Sequence, residues 1–349
     1  MELKNEELSF IDLRSDTLTK PSPEMREAMA SAEVGDDVFG EDPSINHLQE
    51  MSAEMFGMEA GLFVPSGTMT NEISIHVHTR PGDEVILDAL SHIINFESGA
   101  PGLLSGVNLI TLPNKNGHIT ADNVERAIRP EGIQFAKTAL ICLENTSNYA
   151  GGAVFPLSEI EKISTLARKK GIRLHLDGAR IFNAVVASGN HPDQYARYFD
   201  SVTFCISKGL GAPVGSVLMG SRAFIDEARK VRKIFGGGMR QAGILAAAGI
   251  YALKHNVNRL KDDHNNAQML TRALGSTHLF EILPEEVATN IVIFRIKDRS
   301  VTPAEAARKL AQYGILVFPF GENQLRAVTH LDISEEDIKE ACSRLIKHF

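Results

Sequence analysis

Short apolar runs alternate with amphipathic stretches from Leu62 to Met219, and this alternation constrains the chain more than any other feature. A buried strand followed by a segment of helical period is the pattern of a sheet wound with crossover helices, so the fold class is α/β. Seven runs read as strands: Leu62 to Val64, Val85 to Asp88, Asn108 to Leu112, Ala139 to Leu143, Arg173 to Asp177, Ser201 to Ile206 and Ser216 to Met219. Most neighbours are expected to pair in parallel, giving a seven-stranded, mostly parallel sheet. Past Gly238 the pattern changes to one long helix, Gln241 to about Leu260, and then to strands near Asn290 to Arg295, Ile315 to Val317 and Leu325 to Thr329. Residues 1–260 are therefore expected to form an N-terminal arm and a large domain, and 261–349 a smaller α+β domain. No repeat, low-complexity run or long linker separates them, so the long helix is expected to carry the boundary.

Composition matters here for what it excludes. A chain of 349 residues, 43% hydrophobic and 23% charged, buries roughly 75% of its unfolded surface without staples. Cys142, Cys205 and Cys342 are widely spaced and form no CxxC pair, which favours packed thiols over disulfides or a metal site and points to a cytoplasmic protein. The N-terminal stretch lacks an apolar leader, and no run approaches the roughly 20 apolar residues that span a bilayer. A net charge of −8 argues against nucleic acid as a partner and favours a small molecule.

One lysine stands out chemically. Lys208 follows the apolar run "SVTFCI" and enters the glycine-rich turn "SKGLGAPVG", a crowded, partly dry setting that favours the nucleophilic free amine. Nearby in the expected sheet, the strand ending "RLHLDGAR" delivers Asp177 and Arg180. A carboxylate beside a buried lysine is what pyridoxal phosphate requires: the carboxylate keeps the ring nitrogen protonated and the lysine holds the aldehyde as a Schiff base. Singly, a strand-end aspartate is usually a cap and a strand-end lysine usually a solvated end. A further segment, "LFVPSGTMTN", runs from strand to helix through Ser66, Gly67 and Thr68, so free N–H groups and the helix dipole could face a phosphate, although Ser66 and Thr68 also suit an ordinary cap. The glycines at 209, 211 and 215 do not follow the G-x-G-x-x-G spacing of a dinucleotide fold, and P-loop, G-x-S-x-G and H-E-x-x-H patterns are missing.

The ordered motifs "DLRSDTLTKP", "GDDVFGEDP", "PSGTMTN", "LDALSHI", "LENT", "LDGARIFNA", "SKGLGAPVGS", "GGGMRQAG" and "LRAVTHLDIS" run through nearly the whole chain. Together they resemble the threonine aldolase branch of the aspartate-aminotransferase-like, fold type I pyridoxal phosphate enzymes. The resemblance implies a carbon–carbon lyase that cleaves L-threonine, L-allo-threonine and related β-hydroxy-α-amino acids to glycine and an aldehyde; β-elimination or transamination would keep the cofactor and change the bond broken, and an idle cofactor-binding protein is the remaining alternative. It implies Lys208 as the Schiff-base lysine, Asp177 as the partner of the ring nitrogen, His92 as the histidine that stacks on the ring and takes part in the proton step, and Ser66, Gly67, Thr68 and Ser207 as the phosphate cradle. Ser15, Arg180 and Arg326 match positions that grip the substrate carboxylate, and Arg240 matches one that reaches a cofactor phosphate, often across a subunit interface. A planar arginine fork suits the first task because holding the carboxylate decides which bond at Cα stands perpendicular to the ring. A homodimer or homotetramer with shared sites is implied as well.

Two positions depart from the family pattern. Ser147, followed by Asn148, stands where many members place a histidine near the substrate hydroxyl, and Phe39 stands where many have a tyrosine. His76 and His78 have a metal-ligand spacing but fall on different faces of a helix, so packing contacts are expected. Asp36, Asp37, Glu41 and Asp42 lie among Gly35, Gly40 and Pro43 and read as a turn-rich loop near a subunit contact.

Overall fold

The computed structural model describes residues 9–114, 117–283 and 287–349. Its main sheet has seven strands, in the order Ala60–Val64, Ser216–Gly220, Ser201–Cys205, Arg173–Asp177, Thr138–Glu144, Glu84–Asp88 and Asn108–Leu112. The last five are joined by parallel pairing, and Ser216–Gly220 runs antiparallel to both of its neighbours. Every strand but that one therefore points the same way. The central strands are near-continuous apolar runs, with Leu140, Ile141, Leu174, Leu176, Val202 and Phe204 all buried, as expected where helices cover both faces.

On one face the helices Gly67–His78 and Arg222–Ile234 pack Ile73, Phe224, Ala228 and Val231 against Leu62, Val64 and Leu218. On the other, Pro43–Phe56, Leu157–Lys170 and Gly243–His255 bury Leu48, Phe56, Ile160, Ile163 and Ala246 in the largest core. This arrangement gathers the carboxyl ends of six strands on one edge, where open α/β sheets hold ligands. Glu144, Asp177 and Cys205 are the last residues of their strands.

A second sheet of four antiparallel strands, in the order Phe318–Phe320, Gln324–Val328, Ile291–Ile296 and Phe280–Leu283, forms its own core with the helices Leu260–Ser276 and Glu335–His348. The N-terminal strand Ile11–Asp12 pairs with Ile315–Leu316, and Ile11 and Leu13 are buried in this second core. One expectation is corrected: the long helix from Gln241 to Leu260 is two helices, Gly243–His255 and Leu260–Ser276, separated by a turn. Asn256 ends the first. Its buried side chain donates to the Leu210 carbonyl at 2.8 Å and so ties the break to the Lys208 turn.

Candidate active site

The Lys208 turn is held from three sides. Gly211 N–H donates to the Lys208 carbonyl at 2.8 Å, Thr19 Oγ1 donates to the same oxygen at 3.0 Å, and Ala212 N–H closes onto Ile206 O at 3.0 Å. Gly211 has φ +79° and a Cβ there would lie 2.7 Å from the Leu331 side chain, so both conformation and space require glycine. The turn aims Lys208 into a cavity of about 360 Å³ at the strand ends. Asp177, at the end of the neighbouring strand, borders the same cavity with both oxygens engaged: Oδ1 accepts from Ala179 N–H at 3.0 Å and Oδ2 from Asn71 Nδ2 at 2.9 Å.

Across the cavity, Ser66 caps the helix Gly67–His78, its Oγ accepting from Met69 N–H at 3.2 Å. The first-turn N–H groups at Gly67 and Thr68 have no intrahelical acceptor. A Cβ on Gly67 would come within 2.8 Å of Cys205 Sγ, so only glycine lets the helix start sit this close to the sheet. Ser207 lines the same space.

His92 opens the short helix His92–Phe96. Its N–H donates to Glu144 Oε2 at 2.6 Å and its Nδ1 lies 2.8 Å from Glu97 Oε1. Burial by itself would lower the His92 pKa, but the Glu97 hydrogen bond and the charges of Asp177 and Glu97 outweigh burial and raise it. Glu144 is pushed up to about 7, first by burial and then by the Asp177 charge, against the hydrogen bonds donated by Asn148 and His92.

The arginines are placed less uniformly. Arg180 lines the cavity, but its Nε and Nη2 already bind Asp16 Oδ2 and Oδ1 at 2.7 and 2.8 Å, and both residues are buried. Burial would raise the Asp16 pKa, yet the Arg180 charge and hydrogen bonds hold it well below the carboxylate range. Arg326 comes from the second sheet and lies between the rings of Phe318 and Phe320, 5.5 and 5.2 Å from their centroids. It donates to Asn148 Oδ1 at 2.9 Å and Arg14 O at 3.3 Å, while its buried Nε has no partner among the described residues. Burial, then the Arg180 charge, lowers its pKa to about 10.

The cavity thus brings together Lys208, Asp177, His92, Arg180, Ser66, Gly67, Thr68 and Ser207, but Ser15, Ser147, Arg240 and Arg326 are not in its lining. Ser15 caps the turn Asp16–Leu18 through Thr17 N–H, and Thr17 borders the cavity in its place. Ser147 is buried, with its N–H and carbonyl tied to Ala153 and Gly152, so the neighbouring Asn148 lines the cavity instead. Arg240 and Phe39 lie together on the surface: Arg240 pairs with Asp36 at 2.9 Å, and Phe39 is 73% exposed. His78 stacks on Phe224 and His76 meets Phe235 edge-on, as packing residues. Glu97, Asn71, Glu72 and Asp16 join the site with no role in the sequence reading; a polar residue on an otherwise buried helix face was the available signal for Asn71 and Glu72.

A mostly parallel seven-stranded sheet with a strand-end aspartate, a turn-borne lysine and a smaller antiparallel domain defines the fold type I architecture. Residues 12–299 match the beta-eliminating lyase family. The chain is 46% identical to a probable low-specificity L-threonine aldolase 2 of Arabidopsis thaliana, over 97% of both chains, and 42% identical to the low specificity L-threonine aldolase of Escherichia coli strain K12, over 96% of this chain and 98% of that one. A solved structure of Leishmania major threonine aldolase shares the fold, with a TM-score of 0.83 at 19% identity over 96% and 98% of the two chains. The chain belongs to the threonine aldolase and beta-eliminating lyase family.

Proposed function

We propose that this chain is a pyridoxal phosphate-dependent aldehyde-lyase that cleaves L-threonine and L-allo-threonine to glycine and acetaldehyde, with tolerance for other β-substituents. The observation that carries the reading is the convergence of Lys208, Asp177 and His92 on one cavity beside a helix start kept open by Gly67. The residues fit the cofactor: Lys208 offers an amine for its aldehyde, Asp177 an acceptor for its ring N–H, and the Gly67 and Thr68 N–H groups, with Ser66 and Ser207, donors for its phosphate. When bound, the cofactor supplies an electron sink for the carbanion left at Cα.

The chain's own residues do the rest. Arg180, which lines the cavity and is paired with Asp16 through two of its nitrogens, offers its charge and remaining nitrogen to the substrate carboxylate; Arg326, hydrogen-bonded to Asn148 of the lining, adds a second positive charge that helps orient Cα–Cβ. His92 takes the β-hydroxyl proton, directly or through a water, as Cα–Cβ breaks and the aldehyde forms. Asn148 holds Arg326 and borders the place where the β-substituent sits. Arg240 and Phe39 serve a neighbouring subunit's cavity in a dimer or tetramer, which their joint exposure supports. The three free thiols suit a cytoplasmic location, and the two separate cores suit a division into domains near residue 260.

Incubating the purified chain and pyridoxal phosphate with each threonine stereoisomer and with β-phenylserine tests this reading. Glycine and aldehyde in equal amounts from the L-isomers are expected. Release of ammonia and a keto acid would move the activity to β-elimination, and no product from any of them would reject the lyase.

A further inference from the structure

We propose that Asn71 is a positioning residue that aims Asp177 and, through Glu97, His92, using a single amide group. This rests on the reading that Asp177 and His92 serve the cofactor. Asn71 Nδ2 lies 2.9 Å from Asp177 Oδ2 and 2.8 Å from Glu97 Oε1. Both neighbours are carboxylate oxygens, so this atom is the amide nitrogen, with one N–H for each. Asn71 Oδ1, 3.1 Å from His175 Nε2, must then accept, which puts a proton on that ring nitrogen. Burial lowers the His175 pKa to about 4, so the ring is neutral and its Nδ1 accepts from Ser201 Oγ at 2.8 Å. Ser201 Oγ in turn accepts from His78 Nε2 at 2.9 Å. Every donor from His78 onward therefore points toward Asp177.

The second arm of the amide runs to His92. Both Glu72 oxygens and Glu97 Oε2 are buried with no hydrogen-bond partner among the described residues. Burial, followed by the neighbouring Glu97 carboxyl, pushes Glu72 up to about 9, so Glu72 keeps its proton. Glu97 Oε1 lies 2.8 Å from both Asn71 Nδ2 and His92 Nδ1, and it accepts from the amide and takes the proton on His92 Nδ1. The other ring nitrogen, Nε2, is left to act as base. The remaining titratable groups facing this cluster are Glu144, Lys208 and Cys142.

The test uses the full-length chain labelled with ¹⁵N-histidine, the His92 signals being assigned with a His92→Gln variant, and titration with pyridoxal phosphate followed by visible absorbance. In the parent, neutral His92 should show the Nδ1–H tautomer. Asn71→Leu should turn this into a tautomer mixture and weaken cofactor binding about tenfold, the effect of one lost charge-assisted hydrogen bond. Asn71→Asp, which keeps the shape but cannot donate to both carboxylates, should change both readings in the same direction. Glu97→Gln should disturb the His92 signals and leave cofactor affinity within about twofold, since it breaks only one arm. Unchanged ring signals together with unchanged affinity in a folded Asn71 variant would overturn the proposal. So would a Glu97→Gln chain that loses as much affinity as Asn71→Leu. The ring signals need no cofactor, so they decide the matter even if the parent binds no pyridoxal phosphate, a result that would instead defeat the functional reading.

Discussion

The floor of the cavity draws its groups from one sheet and the helices laid on it, and hydrogen bonds fix its principal groups: Asp177 by Asn71 and Ala179, His92 by Glu97 and Glu144, the Lys208 turn by Thr19 and Gly211. The proposed rim draws on distant parts of the chain that lie outside the cavity lining. Arg326 comes from the second sheet, with Nε unpartnered among the described residues, Ser15 from the N-terminal arm, and Phe39 and Arg240 from an exposed loop pair. A preorganised floor suits chemistry that is the same for every substrate, because donors already in place need no rearrangement as charge moves. A rim with a free donor and an exposed ring suits discrimination.

The contrast can be broken by mutation. On the floor, His92→Asn should lower kcat by about 10²–10⁴-fold, the range for losing a general base, with little change in KM; a drop in kcat/KM caused by KM alone would move His92 to the rim. On the rim, Arg326→Leu should raise KM about 10–100-fold, the scale of a lost charged hydrogen bond, and spare cofactor binding. Equal loss of cofactor would show that the two regions are not separable.

Behind the floor the expected effect is on stability. The Glu72 pKa in the fold, about 9, lies above its ordinary 4.5. Below pH 4.5 both folded and unfolded chains hold the proton; between 4.5 and 9 only the unfolded chain gives it up, so stability falls as pH rises through that window. Glu72→Gln removes this dependence and should stabilise the fold by on the order of 1–3 kcal/mol at pH 8 and by almost nothing at pH 4. Urea midpoints at the two pH values would check it, and a gain of equal size at both would contradict it. Smallest of all, Phe39→Tyr should change the threonine to allo-threonine preference a few-fold without altering stability, because the ring is 73% exposed; no change in preference would remove Phe39 from the rim.

The same division governs how much the sequence disclosed. Lys208, Asp177 and Ser66 to Thr68 were legible because each follows an apolar run into a turn, and strand ends converge in a wound sheet. Asn71, Glu72 and Glu97 were not, since their meaning depends on which way two helices face each other across the sheet edge. Asp16 on Arg180 was hidden for a similar reason: 164 positions separate the two partners. The break at Asn256 escaped because the alanine-rich run before it continues into a helical pattern after it, and only the carbonyl of Leu210 explains the stop. Short edge strands such as Ile11–Asp12 and Phe318–Phe320 carry too few residues to display a period.

Lys208 is the proposed covalent residue of this floor. The most direct measurement compares the parent chain with Lys208→Ala, each supplied with pyridoxal phosphate and L-threonine, by visible absorption and acetaldehyde release together. Before L-threonine is added, the parent should show a visible band that borohydride bleaches while fixing the cofactor covalently onto Lys208, and with L-threonine it should release aldehyde steadily; the variant should carry no cofactor after reduction and release no aldehyde. A Lys208→Ala chain that still holds the cofactor covalently after reduction and keeps full turnover would place the covalent step on another residue.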